Sequence, residues 1–231
     1  MLTQSLNTSI GSTKIVPVPP ASPDQFCALT GHAGVVATEF SYRKDEEIYG
    51  EDEPAEYVYQ VVDGAVRSYK LLSDGRRQIN AFHLAGDIFG LETDGVHRFT
   101  AEAIVETTVR LVKRVSLAHV AEQDTTVARD LLNMTASNLR HAEDHMLLLG
   151  RKTSLERVAA FLLEMDSRLT AAGVMALPMC RRDIADYLGL TLETVSRALS
   201  VLQEKGVLGF LGQTQRQIVL LDRPKLAELD V

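Results

Sequence analysis

Residues 180–207 set two runs of helical periodicity on either side of a single glycine, and few folds accommodate that arrangement. Ile184, Ala185 and Leu188 share one face of the first run, Gly189 supplies the left-handed conformation that stops it, and Thr191 stands where a cap for the second run is needed. In the second run Val195, Ala198, Leu199 and Leu202 point inward, while Glu193, Thr194, Ser196 and Arg197 lie elsewhere on the surface. The side-chain chemistry of that surface suits base edges. Arg grips guanine O6 and N7 bidentately, Glu accepts from the cytosine N4 amine, and Ser serves either partner in a major groove wide enough for a helix. The spacing therefore predicts a DNA-reading helix, with Arg181 and Arg182 at the start of the first run as further candidates.

An αα-hairpin with a solvated outer face satisfies the same spacing. The next residues narrow the choice. Residues 207–211 and 217–221 read as two strands joined by a polar tip at 212–216, and a helix-turn-helix backed by a hairpin is a winged helix. Arg216 sits on the tip, where a phosphate contact is expected.

Charge divides the chain unevenly. Residues 1–150 hold 13 Lys or Arg against 21 Asp or Glu, and residues 151–231 hold 11 against 10, so the parts carry −8 and +1 of the overall −7. An acidic total argues against indiscriminate nucleic-acid binding, while a locally basic face still serves phosphate contacts. Two cysteines, Cys27 and Cys180, are too few for a disulfide framework or a zinc site and suit a reducing compartment. The first residues lack a basic start and a continuous apolar core, and no stretch reaches the ~20 apolar residues of a membrane span, so a cytoplasmic location is expected.

Residues 1–24 are rich in Ser, Thr and Pro and read as a flexible arm. From about 35 to 115, short β-type runs at 57–62, 66–72 and 78–84 alternate with glycine turns. Gly64, Gly75 and Gly86 recur at one constant interval. This pattern indicates antiparallel hairpins stacked into a roll, which encloses a candidate ligand pocket. From about 125 the period becomes helical, and Ala128, Leu132, Thr135, Leu139, Ala142, Met146 and Leu149 follow alternating steps of four and three. Leu131, Met134 and Leu148 add a second apolar ridge, more than one neighbour needs, so the first ridge is expected to be a homodimer seam. His141 and His145 lie one turn apart without a third ligand and are expected to flank the seam; His83 stands alone in a strand, and no metal is assigned. A link at 150–154 then leads to an amphipathic helix carrying Val158, Phe161, Leu162, Met165 and Leu169, stopped at Ala172-Gly173.

The order of roll, long helix and winged helix-turn-helix resembles the family of cyclic AMP receptor protein and the fumarate and nitrate reduction regulator, CRP/FNR, over nearly all of the chain beyond the arm. The most specific match is residues 183–197, Asp-Ile-Ala-Asp-Tyr-Leu-Gly-Leu-Thr-Leu-Glu-Thr-Val-Ser-Arg. Within it Glu193, Ser196 and Arg197 fall on the Glu-x-x-Ser-Arg pattern of the FNR-like branch, which the resemblance associates with TTGAT half-sites in two-fold arrangement. Leu192 takes the place of an arginine in cyclic AMP receptor protein and, with Thr194, joins the expected DNA-facing set.

Departures from the family pattern are as informative. Only Cys27 precedes the long helix, so the four thiolates of an iron–sulfur cluster cannot assemble. The segments corresponding to the family's cyclic AMP pocket read Gly90-Leu91-Glu92 and Arg98-Phe99-Thr100-Ala101, which offer no correctly placed basic-plus-hydroxyl pair, and Glu92 would repel a phosphate. These departures resemble the FixK-like subgroup, whose members act on microaerobic respiration and nitrogen-fixation genes.

The expected architecture is α+β: an arm (1–24), an antiparallel β-roll of cyclic-nucleotide-binding-like jelly-roll type (25–124), a dimerisation helix (125–150) and a winged helix-turn-helix (151–231). The expected protein is a homodimeric transcription activator that binds two-fold symmetric double-stranded DNA and RNA polymerase, with no cofactor, no enzymatic activity and no membrane contact. A cupin-like ligand-binding roll is the alternative, and the sparse histidines speak against it. Cys180 stands at the cap of the first reading helix, where the helix N-terminus, Arg181 and Arg182 favour a thiolate whose oxidation would weaken DNA binding; the alternative is an inert cysteine that merely takes the place of a small capping residue.

Overall fold

The structure is a computed structural model in which residues 35–92, 94–212 and 214–229 are described. The expected arm and Cys27 lie outside them. Among the described residues eight strands form the roll: β1 (Ala37–Tyr42), β2 (Glu47–Tyr49), β3 (Tyr57–Asp63), β4 (Ala65–Leu71), β5 (Arg77–Leu84), β6 (Ile88–Phe89), β7 (Thr100–Ala103) and β8 (Thr107–Lys113). They make two antiparallel sheets in the orders β1-β8-β3-β6 and β2-β7-β4-β5. Tyr59, Val61, Phe89 and Val109 from one sheet pack against Tyr49, Val66 and Ala101 from the other. The glycine interval marks real turns, since Gly64, Gly75 and Gly86 all have positive φ. At Gly64 the requirement is twofold: φ is +92°, and an added Cβ would lie 2.5 Å from Thr107 Oγ1.

A helix that the sequence pattern did not reveal, α1 (Arg114–Gln123), closes the roll with Leu117 and Val120. It has no side-chain cap at its start and no acidic residue in its first turn, so the usual start signals are missing. Asp124 then breaks the helix and caps α2 (Thr125–Arg151), its side chain accepting from the Thr126 N–H at 2.7 Å. The two apolar ridges of α2 part company. Val127 and Met134 pack on the roll and Leu148 on the C-terminal core, whereas Leu132, Leu139 and Met146, seven residues apart, are 68%, 59% and 65% exposed. Leu149 leaves that free face: half-buried, it packs with the C-terminal core.

The remainder comprises α3 (Ser154–Leu169), β9 (Thr170–Ala171), β10 (Val174–Ala176), α4 (Arg181–Leu188), α5 (Leu192–Glu204), β11 (Leu208–Leu211), β12 (Gln217–Leu220) and α6 (Arg223–Glu228). A capping box between Thr153 and Glu156 starts α3. β10 joins the wing to give the sheet order β11-β12-β10-β9, a connection that local spacing does not disclose. Phe161, Leu162, Met165, Ile184, Leu188, Val195, Leu199 and Leu202 fill the core of this part. That core runs on into the roll through Ile79, Phe82 and Leu84, with the Phe82 and Tyr187 ring centroids 5.0 Å apart. The roll and the C-terminal part thus meet through a shared apolar seam.

Candidate nucleic-acid interface

Cys180 caps the start of helix α4, its backbone N–H donating to Asp183 Oδ2 at 3.0 Å, and Gly189 with φ +61° caps its end. The Leu190 N–H returns to the Ala185 carbonyl at 2.9 Å, which fixes the turn. Thr191 caps α5 by accepting from the Thr194 N–H at 3.2 Å. Val195, Ala198, Leu199 and Leu202 are buried, so the sequence-derived inner face is the one observed.

On the outer side Glu193 and Arg197 are exposed, and Leu192, Thr194 and Ser196 are half-buried. Hydrogen bonds from its own backbone N–H and from Thr191, with the Arg182 charge nearby, hold the Glu193 carboxyl below its usual range, so it stands ready as an ionised acceptor. Arg182 is exposed, as is Arg216 on the wing. Arg181 is placed differently. Its Nη1 donates to Ser196 Oγ at 3.2 Å, its Nη2 donates to Gln215 Oε1, and its guanidinium lies 5.7 Å from the Phe210 ring centroid. One side chain therefore links α4, α5 and the wing, a role hidden from local periodicity.

His83, His97 and His145 pack against aromatic rings. His145 does not flank the free ridge of α2: it stacks on Tyr187 of α4 at 4.1 Å, where burial and then the His141 charge push its imidazole down to about 4. His83 meets Ser68 Oγ at 3.1 Å and stacks on Phe89 at 4.7 Å, and burial pushes it down to about 3. Where the roll meets α2 there is a cavity of about 300 Å³ lined by Tyr49, Ser68, Gly90, Glu92, Phe99 and Leu139 among others, with no Arg or Lys among its described lining residues. His97 is fully buried beside it, stacked on Tyr49 at 3.5 Å, with Nδ1 3.5 Å from Glu92 Oε2. No helix among the described residues is long and apolar enough to cross a membrane.

Comparison with known proteins agrees with this geometry. Residues 156–229 match the Crp-like helix-turn-helix domain and residues 39–124 the cyclic nucleotide-binding domain. The chain is 44% identical over 215 residues to the nitrogen fixation regulation protein FixK of Azorhizobium caulinodans, covering 91% of this chain and 84% of that one. Its fold superposes on FixK2 from Bradyrhizobium japonicum with a TM-score of 0.82 and 74% identity, covering 85% and 98% of the two chains. A CRP-family transcriptional regulator from Thermus thermophilus superposes at 0.69 with 26% identity, covering 83% and 96%. With both domain models matched in this order and FixK proteins among its relatives, the chain belongs to the CRP/FNR family of DNA-binding transcription regulators, in its FixK-like branch.

Proposed function

We propose that the protein is a homodimeric activator that reads TTGAT-type inverted repeats and recruits RNA polymerase in the cytoplasm. The observation that carries this reading is the outer face of α5, where exposed Arg197 and ionised Glu193 flank Ser196. Arg197 reads guanine, Glu193 and Ser196 read the neighbouring bases, and Leu192 and Thr194 complete the base-facing set. Arg182 and Arg216 contact phosphate, and Arg181 joins them once DNA draws it from Gln215. The reading divides the chain into arm (1–24), roll (25–124), dimerisation helix (125–150) and winged reading domain (151–231).

The dimer reading is supported by the exposed Leu132, Leu139 and Met146, with exposed Thr135 and Ala142 on the same face. Two such faces on a two-fold axis bury one another and set two reading heads on one operator. The seam ends short of Leu149, which packs with the C-terminal core. Independence from cyclic AMP is supported by Glu92 in the cavity lining, a carboxylate that repels a phosphate. Nitrogen-fixation genes as targets follow the names of the FixK relatives, and microaerobic respiration genes follow from the resemblance to the FixK-like subgroup. Oxidation of Cys180 is the inhibitory input: the thiol is half-buried at the α4 cap beside Arg181, and a sulfinate there places fixed negative charge next to the DNA-facing surface.

Selection of bound DNA from a random pool, with pure protein and no added ligand, tests site, symmetry and ligand independence together. Recovery of TTGAT-type inverted repeats is the expected result. Recovery of no common sequence, or only after a nucleotide is added, would contradict the reading.

A further inference from the structure

The β2-β7-β4-β5 sheet of the roll grips α4 through buried charge. Arg67, on β4, donates from Nη1 to Asp183 Oδ1 at 3.1 Å and from Nη2 to Asp45 Oδ1 at 3.2 Å and to Glu102, its cross-strand neighbour on β7. Arg77, the first residue of β5, donates from Nη2 to the same Asp183 Oδ1 at 2.6 Å and from Nε to Asp186 Oδ2 at 2.9 Å. Gln78 adds a bond from Nε2 to the Tyr187 carbonyl at 3.3 Å. The acceptors Asp183, Asp186 and Tyr187 lie three and four positions apart, so one side of a two-turn helix faces the sheet. Asp183 is shared, because its second oxygen holds the Cys180 N–H at the start of the same helix.

Stability alone does not account for this arrangement. Arg67 is 8% exposed and Asp183 2% exposed, and a buried ion pair commonly gains little over apolar residues of the same shape. The Arg67 Nε donor meets no acceptor among the described residues, a further cost. Paired guanidinium forks supply direction: they fix the angle and register of the helix they hold. Helix α5 follows α4 through the Gly189 turn and shares its core, so an α4 held to the roll also holds the reading helix.

We propose that Arg67 and Arg77 are positioning residues that set the operator spacing, by clamping Asp183 and Asp186 so that each reading head keeps one orientation on its roll. This rests on the reading of the protein as a dimer on an inverted repeat. Two half-sites lie about 34–36 Å apart, one helical turn, and one inserted base pair moves and rotates the second half-site relative to the first. Heads that are clamped reject such an operator. Heads that swing accept it.

The test is fluorescence anisotropy of the full chain on three duplexes: the preferred inverted repeat, and the same repeat with one base pair added to or removed from the spacer. Wild type is compared with Arg77→Gln, Asp186→Asn and the double variant, and the quantity read is the affinity ratio between correct and altered spacing. An inactive or unfolded fraction scales every affinity equally and leaves that ratio unchanged, so a merely structural role does not move it. Wild type is expected to discriminate by at least about tenfold, Arg77→Gln to fall to within about threefold, Asp186→Asn, which leaves both arginines on Asp183, to fall part of the way, and the double variant to fall no further than Arg77→Gln, because Arg77 is the partner of Asp186 in the clamp. A wild-type ratio retained by both single variants overturns the clamp while leaving the dimer reading in place. A wild type that binds all three duplexes alike shows heads that swing and overturns the clamp while leaving the dimer reading in place, whereas one chain bound per duplex in sedimentation of the complex would overturn the dimer reading, and the clamp with it.

Discussion

Arg157, in the first turn of α3, donates from Nη1 to the Leu188 carbonyl at 3.0 Å, tying that helix to the last residue of α4. The same guanidinium reaches the Leu149 carbonyl at 2.7 Å and the Lys152 carbonyl at 3.0 Å. All three acceptors come from helix ends, whose last carbonyls have no partner within the helix. One planar cation thus joins the end of α2, the link and the end of α4. Arg157→Met removes three charge-assisted bonds and is expected to destabilise the protein by about 2–4 kcal/mol, seen as a lower midpoint in urea. Arg157→Lys rescues only part of this, since an ammonium lacks the fork. An unchanged midpoint in Arg157→Met would show that water replaces the guanidinium at no cost.

The free ridge of α2 predicts association. Leu139→Glu sets like charges near the two-fold axis and loses apolar burial of order 2 kcal/mol from each chain. Sedimentation of this variant is expected to give a monomer with the far-ultraviolet spectrum of the parent. Since Leu139 is already exposed in a single chain, the fold itself has little to lose. An undisturbed dimer would move the interface elsewhere.

The His145 environment predicts acid sensitivity. In the folded chain burial and the His141 charge hold the imidazole at about 4, whereas in the unfolded chain it titrates near its ordinary 6.5. Between those values the unfolded chain takes up a proton that the folded chain refuses, so stability is full above about pH 6.5 and is lost as the pH falls toward 4. The contribution is on the order of 3 kcal/mol across the window. His145→Phe keeps a ring on Tyr187 without the proton, and its unfolding free energy is expected to vary less steeply with pH. His83 contributes in the same direction and remains in that variant. A slope equal to that of the parent would remove His145 from the account.

Cys180 predicts a redox response. Peroxide is expected to lower operator affinity of the wild type without unfolding it, and Cys180→Ser, which keeps a capping residue, is expected to bind and to resist. The comparison is a titration of operator before and after treatment, with circular dichroism as the check on fold. Equal sensitivity of both proteins would place the oxidised group elsewhere.

What the sequence discloses and what it hides divide along the range of the interactions. The turn at Gly189, the inner face of α5 and the β-turn glycines are set by residues three or four apart or by one backbone conformation, and each was legible. Arg67 and Asp183 stand 116 residues apart, and no periodicity links a sheet arginine to a helix carboxylate. The Arg181 bridge to Ser196 and Gln215, the Arg157 tie and the stacking of His145 on Tyr187 have the same character. Leu149 follows the heptad spacing, yet its side chain packs with the C-terminal core, because the chain turns into α3 just beyond it. Helix α1 and the β9–β10 hairpin were missed for another reason: one lacks start signals and the other spans only a few residues.

The reading of DNA by α5 is tested most directly by Arg197→Ala on an inverted TTGAT repeat and on the same duplex with the guanine of each half-site replaced. A bidentate arginine–guanine contact contributes about 1–3 kcal/mol of discrimination per half-site, and a dimer uses it twice. Wild type is expected to prefer the intact repeat by at least about tenfold, whereas Arg197→Ala, folded and dimeric, is expected to bind both duplexes weakly and alike. Undiminished affinity and preference in Arg197→Ala would contradict the assignment of α5 as the reading helix.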